Sequence, residues 1–181
     1  MSYETMKIAI ILGSTRAGRV SPSVGKWYQE IALKNTPAQF DILDLKDFQL
    51  PFLGESSDME PIQRWNQALA RYDGFVFITP EYNHSIPAVL KNALDSAKDV
   101  WNNKAAAIVS YGSAGGSRAA EHLRGILGEL QIADVRQHIV LTLFNDFENF
   151  KVFKPLNVHE QNIKVQLEQL LRWASALKQT R

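Results

Sequence analysis

The sequence predicts an α/β protein: a doubly wound, three-layer sandwich around a five-stranded parallel sheet in the order 2-1-3-4-5. Three observations carry this. Apolar runs of strand length alternate with longer amphipathic stretches along the 181 residues. Runs such as Lys7-Ile-Ala-Ile-Ile-Leu12 and Gly74-Phe-Val-Phe-Ile-Thr79 are apolar nearly throughout, as strands buried on both faces are. Crossovers of helix length join them, and right-handed crossovers place helices on both faces of a parallel sheet.

Each element follows from its own pattern. Lys7–Leu12 is the first strand, closed by Gly13-Ser14. Ser21–Asn35 sets Val24, Trp27, Tyr28, Ile31 and Ala32 at helical spacing, and Pro37 closes it. Phe40–Leu45 is the second strand. Pro61–Tyr72 is a helix with proline in its first turn and Ile62, Trp65, Leu69 and Tyr72 on one face. Gly74–Thr79 is the third strand. Ile86–Ala97 is a helix with Ile86, Leu90, Ala93, Leu94 and Ala97 in phase and Lys91, Asn92 and Asp95 on its outer face. Lys104–Ser110 is the fourth strand, and Ser117–Leu130 the next helix. Val135–Leu143 is a fifth strand, whose Arg136 and His138 point to a sheet edge. Phe144–Val158 is aromatic and charged without a clean period; it is expected to pack on its own sheet, against the alternative that it covers a neighbouring subunit's site. His159–Lys178 is the closing helix. Repeats, linkers and low-complexity stretches are missing, so residues 1–181 read as one domain.

Composition narrows the function. A net charge of +1 gives no electrostatic footprint for nucleic acid or an anionic membrane. There is no cysteine, which excludes disulfides, thiolate catalysis and Cys-ligated metal sites. Met1–Lys7 mixes acid and base without an apolar core, unlike a signal peptide, and the expected location is the cytoplasm.

In such a sheet a ligand sits outside the carboxyl ends of the strands, at the switch point between strands 1 and 3. The loops there are unusual. Gly13–Gly25, GSTRAGRVSPSVG, brings hydroxyls and arginines to a helix N-terminus, a combination suited to phosphate. Gly13 and Gly18 have Walker spacing, but Arg19-Val20 stands where Lys-Ser/Thr is needed, and G-x-G-x-x-G is missing. A terminal phosphate monoester is the remaining guest, against the plainer reading that Ser21 or Ser23 caps the helix. After strand 3, Pro80-Glu81-Tyr82-Asn83 offers a ring and polar groups for a flat heteroaromatic, against the plainer reading of turn and helix capping. Glu81 with nearby His84 suggests acid–base chemistry, but no partner is specified by sequence. After strand 4, Ser110–Arg124 carries Gly112, Gly115 and Gly116, which permit close approach to a ligand. Gly115–Ala119 nearly fits a nucleophile elbow, but the strand ends too early and the last position is Ala.

GSTRAGRVSPSVG, TPEYNHSIPAVLKNALD and YGSAGGSRAAEHLR together resemble the NADPH-dependent FMN reductase family, the flavodoxin-like quinone, azo-dye and chromate reductases. The resemblance covers Lys7 to about Leu143 and implies a flavodoxin-like fold. It implies that Ser14, Arg16, Ser21, Ser23 and backbone amides through Val24 hold the FMN phosphate. It places Pro80, Glu81, Tyr82 and Asn83 along the isoalloxazine, with Tyr111, Gly112, Ser113, Gly115 and Gly116 closing the other edge. Pro22 departs from the bulky residue and Asn common in the family. NADPH or NADH is the implied co-substrate, with Arg19 a candidate for the NADPH phosphates. The implied partner is a small-molecule electron acceptor, and the implied assembly a homodimer or homotetramer. FMN carries the hard chemistry, so no protein nucleophile or metal is required. An electron carrier without its own NAD(P)H turnover is the runner-up, although +1 offers no acidic docking face. A signalling domain of the same fold lacks the acidic cluster and lysine of a phosphoacceptor. Arg16→Ala is expected to weaken FMN binding about tenfold in a fluorescence titration; an unchanged affinity would unseat the phosphate loop assignment.

Overall fold

Strands that are apolar on both faces must be covered on both. In the computed structural model, which describes Tyr3 and residues 5–181, that requirement is met by helices on either side of one sheet. The reading of Met1–Lys7 therefore falls partly outside the described residues. The elements run β1 (Lys7–Leu12), α1 (Ser21–Asn35), β2 (Gln39–Asp44), α2 (Leu45–Phe48), α3 (Glu60–Ala70), β3 (Gly74–Pro80), α4 (Ala88–Asp95), β4 (Lys104–Gly112), α5 (Ser117–Glu129), β5 (Ile132–Thr142), β6 (Phe147–Glu148), β7 (Val152–Phe153) and α6 (Val158–Lys178). The sheet is parallel in the order β2-β1-β3-β4-β5, as predicted.

Alternation along each strand divides the core in two. Ile8, Ile10 and Leu12 face α1 and α6, meeting Val24, Tyr28, Leu167 and Leu170. Ala9 and Ile11 face the other way, toward Trp65 of α3, Leu90 of α4 and Leu123 of α5. Trp101 fills the second layer edge-on to Phe75, with centroids 4.9 Å apart. Each large side chain so buried contributes about 1.5–3 kcal/mol.

β4 and β5 slip register between Ala106 and Ile108, where Ala106 faces Asp134 but Ile108 faces His138. A bulge leaves backbone groups without ladder partners. The fully buried Gln166 of α6 answers them, its Nε2 donating to the carbonyls of Ile108 at 2.9 Å and Gln137 at 2.7 Å. Its Oε1 accepts from the Tyr28 hydroxyl at 2.9 Å, so one amide ties both helices of that layer to the sheet.

Several boundaries differ from expectation. α4 begins at Ala88 and not Ile86, and Leu45 leaves the second strand to open α2. Asn92, expected on the outer face, is buried and pins the preceding loop: its Oδ1 accepts from Leu53 N–H at 3.0 Å and its Nδ2 donates to the Pro51 carbonyl at 2.9 Å. The segment without a period contains the antiparallel pair β6 and β7. Asp146 organises it. The buried carboxylate accepts from Thr142 N–H at 2.8 Å, Leu156 N–H at 3.1 Å and His159 Nε2 at 2.8 Å. Phe147 then packs beside Tyr111 with ring centroids 6.1 Å apart.

Asp146→Ala should cost about 2–4 kcal/mol in urea unfolding, because it strands these donors. Asp146→Asn, which keeps an acceptor oxygen, should recover part of the loss.

Candidate functional site

The carboxyl ends of β1, β3 and β4 open into loops that hydrogen bonds hold side by side. Ser14 Oγ and the Tyr82 hydroxyl are 3.1 Å apart, joining the first loop to the second. Glu81 N–H donates to the Tyr111 carbonyl at 3.0 Å, joining the second to the third. Leu143 N–H donates to the Gly112 carbonyl at 3.0 Å, which attaches the segment after β5.

In the first loop, Gly13 N–H donates to the Ile78 carbonyl at 2.8 Å. A Cβ there would lie 2.9 Å from both that oxygen and Leu90 Cδ2, so only glycine fits. Arg19 braces the loop from inside. Its Nη1 donates to the Ser14 carbonyl at 2.6 Å, and both Nη groups grip the Asp44 carboxylate at 2.6 and 2.5 Å. That pairing holds the guanidinium above its ordinary pKa, against the opposing effect of burial. Three of its five N–H donors are thus committed to scaffold, and its pairing with Asp44 neutralises the charge expected to serve the NADPH phosphates. Arg16 is exposed and lies over the Tyr82 ring, 5.6 Å from its centroid.

α1 starts without a side-chain cap, and Pro22 in its first turn has no N–H. Ser21 Oγ is fully buried and has no hydrogen-bond partner, while Ser23 is exposed one residue beyond Pro22. An orphaned buried hydroxyl at an uncapped helix N-terminus is costly, and an anion there would satisfy it. The donor set therefore fits a phosphate group. Val24 is placed differently from the other predicted residues: its N–H donates to the Val20 carbonyl at 3.1 Å and its side chain is in the core.

In the second loop, Tyr82 and Ser85 exchange backbone hydrogen bonds of 2.9 and 3.1 Å. Asn83 and His84 between them have φ of +48° and +68°. This is a two-residue hairpin of the left-handed kind, which asparagine tolerates well. Pro87 then has extended backbone, which delays the helix to Ala88. His84 Nε2 accepts from Arg118 Nη1 at 2.8 Å, so its proton sits on Nδ1.

Glu81 turns away from open solvent toward α5. Its Oε1 pairs with Arg118 Nη2 at 2.5 Å, and its Oε2 accepts from the N–H groups of Arg118 at 3.1 Å and Ala119 at 3.4 Å. Burial alone would raise this carboxyl, but the guanidinium and the two amides outweigh it and hold it below its ordinary 4.5. Glu81 is a cap from a distant strand, and its neighbour His84 serves the same arginine.

In the third loop, Gly115 and Gly116 have φ of +68° and +72°. A Cβ on Gly115 would overlap Val140 Cγ1, and one on Gly116 would lie 2.8 Å from Ser110 Cβ. Close approach is thus demanded first by the loop's own strands. Ser110 Oγ donates to the Gly115 carbonyl at 2.5 Å and accepts from His138 Nε2 at 2.7 Å. Burial, aided by Arg124, pushes His138 down to about 4, so it is the neutral donor. Gly112 is buried between the loops and Ser113 is exposed at the tip. The Tyr111 ring is buried in the α1–α6 layer, and burial, then Tyr82, push its hydroxyl pKa up against the opposing effect of the nearby Ser21 hydroxyl, which lies close but does not meet hydrogen-bond geometry. Pro80 ends β3 in register with Tyr111.

Sequence reasoning missed Asp44, Ser110, Arg118 and His138. Each acts through a partner at least 25 residues away, a distance that periodicity does not register.

The family profile described as NADPH-dependent FMN reductase matches residues 6–146, which include all of these loops. The chain belongs to that family. This FMN reductase family member is 37% identical over 151 residues to an NAD(P)H-dependent FMN reductase of Schizosaccharomyces pombe, covering 78% of this chain and 76% of the relative. It is 35% identical over 140 residues to a 2-hydroxy-1,4-benzoquinone reductase of a Burkholderia species, covering 73% and 75%. Its fold matches a flavoenzyme NAD(P)H:acceptor oxidoreductase from Paracoccus denitrificans with a TM-score of 0.75 at 19% identity, covering 94% of this chain and 98% of that one.

Glu81→Gln should cost the reductase about 1–2 kcal/mol at neutral pH, by loss of the ion pair and a weaker cap. Because the folded carboxyl is held low, Glu81 stabilises fully above 4.5 and loses this effect as pH falls through its lowered value. Chemical denaturation across pH should show the gap between wild type and variant closing below 4.5.

Proposed function

We propose that the chain is one FMN-binding domain working as an NAD(P)H-dependent oxidoreductase. A hydride from NAD(P)H would pass through flavin N5 to an acceptor such as a quinone, azo compound, free flavin or metal oxyanion. The observation that carries the reading is the pair of helix N-termini at the carboxyl edge of the sheet. That of α5 is filled by Glu81, while that of α1 is uncapped above the orphaned Ser21 hydroxyl.

The chain's own residues divide the work by position. Ser14, Ser21, Ser23 and Arg16 would bind the phosphate. Tyr82, which spans from Ser14 to the hairpin, would line the ring together with Pro80 and Asn83. Gly112 and Ser113 would border the far edge with their backbone. Glu81 would position these groups through its bonds to α5, and Gly115 and Gly116, which carry no side chain, would shape the loop that borders the ring. The names of the relatives support flavin and quinone acceptors. A homo-oligomer is supported by the exposed Phe52, Leu53 and Met59 in one loop, 47–61% accessible.

The test is a visible spectrum of the purified protein and an NADPH oxidation assay. Bound or readily added FMN, with NADPH consumed when a quinone is supplied, is the expected result. Failure to bind FMN would sink the reading; binding without turnover would make the protein an electron carrier.

A further inference from the structure

The amino ends of the strands, at the opposite edge of the sheet from the phosphate loop, gather a second set of charges. An open cavity of about 550 Å³ lies there, and Asp73, Asp99, Lys104, Lys178 and Arg181 are among its lining residues. Lys104, the first residue of β4, is only 5% exposed. Lysine is almost never buried so fully without a paired charge. Part of its position has a plain structural account. Nζ donates to the Leu69 carbonyl in the last turn of α3 at 3.0 Å, and a cation suits a helix C-terminus. The ammonium also lies over the Phe75 ring, 5.3 Å from its centroid.

The carbonyl takes one of three ammonium donors, and among the described residues no carboxylate touches the group. The buried carboxylate nearby is already shared out. Asp73 accepts from Lys7 N–H at 3.1 Å, Lys178 Nζ at 3.0 Å and Arg181 Nη2 at 3.1 Å. Asp99 stands exposed at the rim. Three cationic side chains thus share one buried carboxylate. Burial, then the Arg181 charge, push the Lys104 ammonium down to about 8, against the pull of Asp73. What would relieve it is a negative charge inside the cavity.

We propose that this cavity is a second anion site, which takes a phosphate group between Lys104 at its floor and Lys178 and Arg181 at its rim. Ammonium and guanidinium groups are the side chains that hold phosphate, and three of them together favour a dianion over a single carboxylate. A cavity of this size has room for an organic tail beside the phosphate, so the guest is inorganic phosphate or a small phosphate monoester. A phosphate there links the end of α3, the start of β4 and the end of α6 through charge, and so stabilises the fold. The site lies at the other edge of the sheet from the flavin loops and does not draw on the oxidoreductase reading.

The experiment loads wild type, Lys104→Met, Lys178→Ala and Arg16→Ala with FMN, removes the excess, and titrates each with inorganic phosphate and with glycerol 2-phosphate at constant ionic strength in calorimetry. Wild type and Arg16→Ala should bind alike. Lys104→Met should lose about tenfold or more in affinity, and Lys178→Ala about fivefold. Phosphate in place of chloride should raise the thermal midpoint of wild type and leave that of Lys104→Met unmoved. Sulfate, whose charge is constant, should bind wild type less tightly as pH rises through about 8, where the Lys104 ammonium is lost. The tighter of the two phosphate probes names the source, and either order supports the site. Equal binding by wild type and Lys104→Met would overturn the proposal, as would no response to phosphate over chloride. So would loss of binding in Arg16→Ala alone, which assigns the anion to the phosphate loop. Should Lys104→Met fail to fold, Lys178→Ala at the exposed rim decides, and unchanged affinity there overturns the site. None of these readouts involves electron transfer, so they stand whether or not the chain reduces an acceptor.

Discussion

A carboxylate removed from water must be met by donors or be lost, and the Glu81 carboxylate is met by a helix. Its oxygens take the N–H groups of Arg118 and Ala119 and the Arg118 guanidinium, so the end of β3 and the start of α5 are fixed together. The remaining geometry follows from that joint. Tyr82, next in the chain, reaches Ser14 across the switch point between β1 and β3. The glycine loop, trapped between β4 and the first turn of α5, has room for no side chain at Gly115 or Gly116.

The same joint allocates charge. Of the two helix N-termini considered, the protein supplies its own anion to one and leaves the other without a cap. Arginine is divided likewise: Arg118 and Arg19 are bound to Glu81 and Asp44, while Arg16 is exposed over an aromatic ring. Positive potential is thereby concentrated at one place along the sheet edge. An anion entering there replaces no internal partner.

The sheet was legible because strands such as Lys7–Leu12 are apolar throughout and because α1, over Ser21–Asn35, carries a clear helical period closed before Pro37. What escaped notice is short or long-range. α2 and the β6–β7 pair are too brief to show a period. The start of α4 moved because Asn83 and His84 adopt left-handed backbone, a choice their side chains permit but do not announce. Asn92 sits at a position that a helical wheel turns outward, yet it is buried because a loop some forty residues earlier folds onto it. That the loops holding Ser14, Tyr82 and Gly112 lie side by side was legible, since the switch point of the sheet brings them together. The bond from Glu81 to Arg118 is not legible in the sequence because the two lie 37 residues apart.

The Arg19–Asp44 clamp has a thermodynamic consequence. A loop whose shape is set by internal ion pairing is a template and not a clasp. Little chain entropy remains to be lost when a guest arrives, and the loop's own strain does not change when the guest leaves. Binding is then a local event on a scaffold whose shape is already set. What a guest changes is confined to the unpaired Ser21 hydroxyl and the uncapped start of α1, and not the path of the loop.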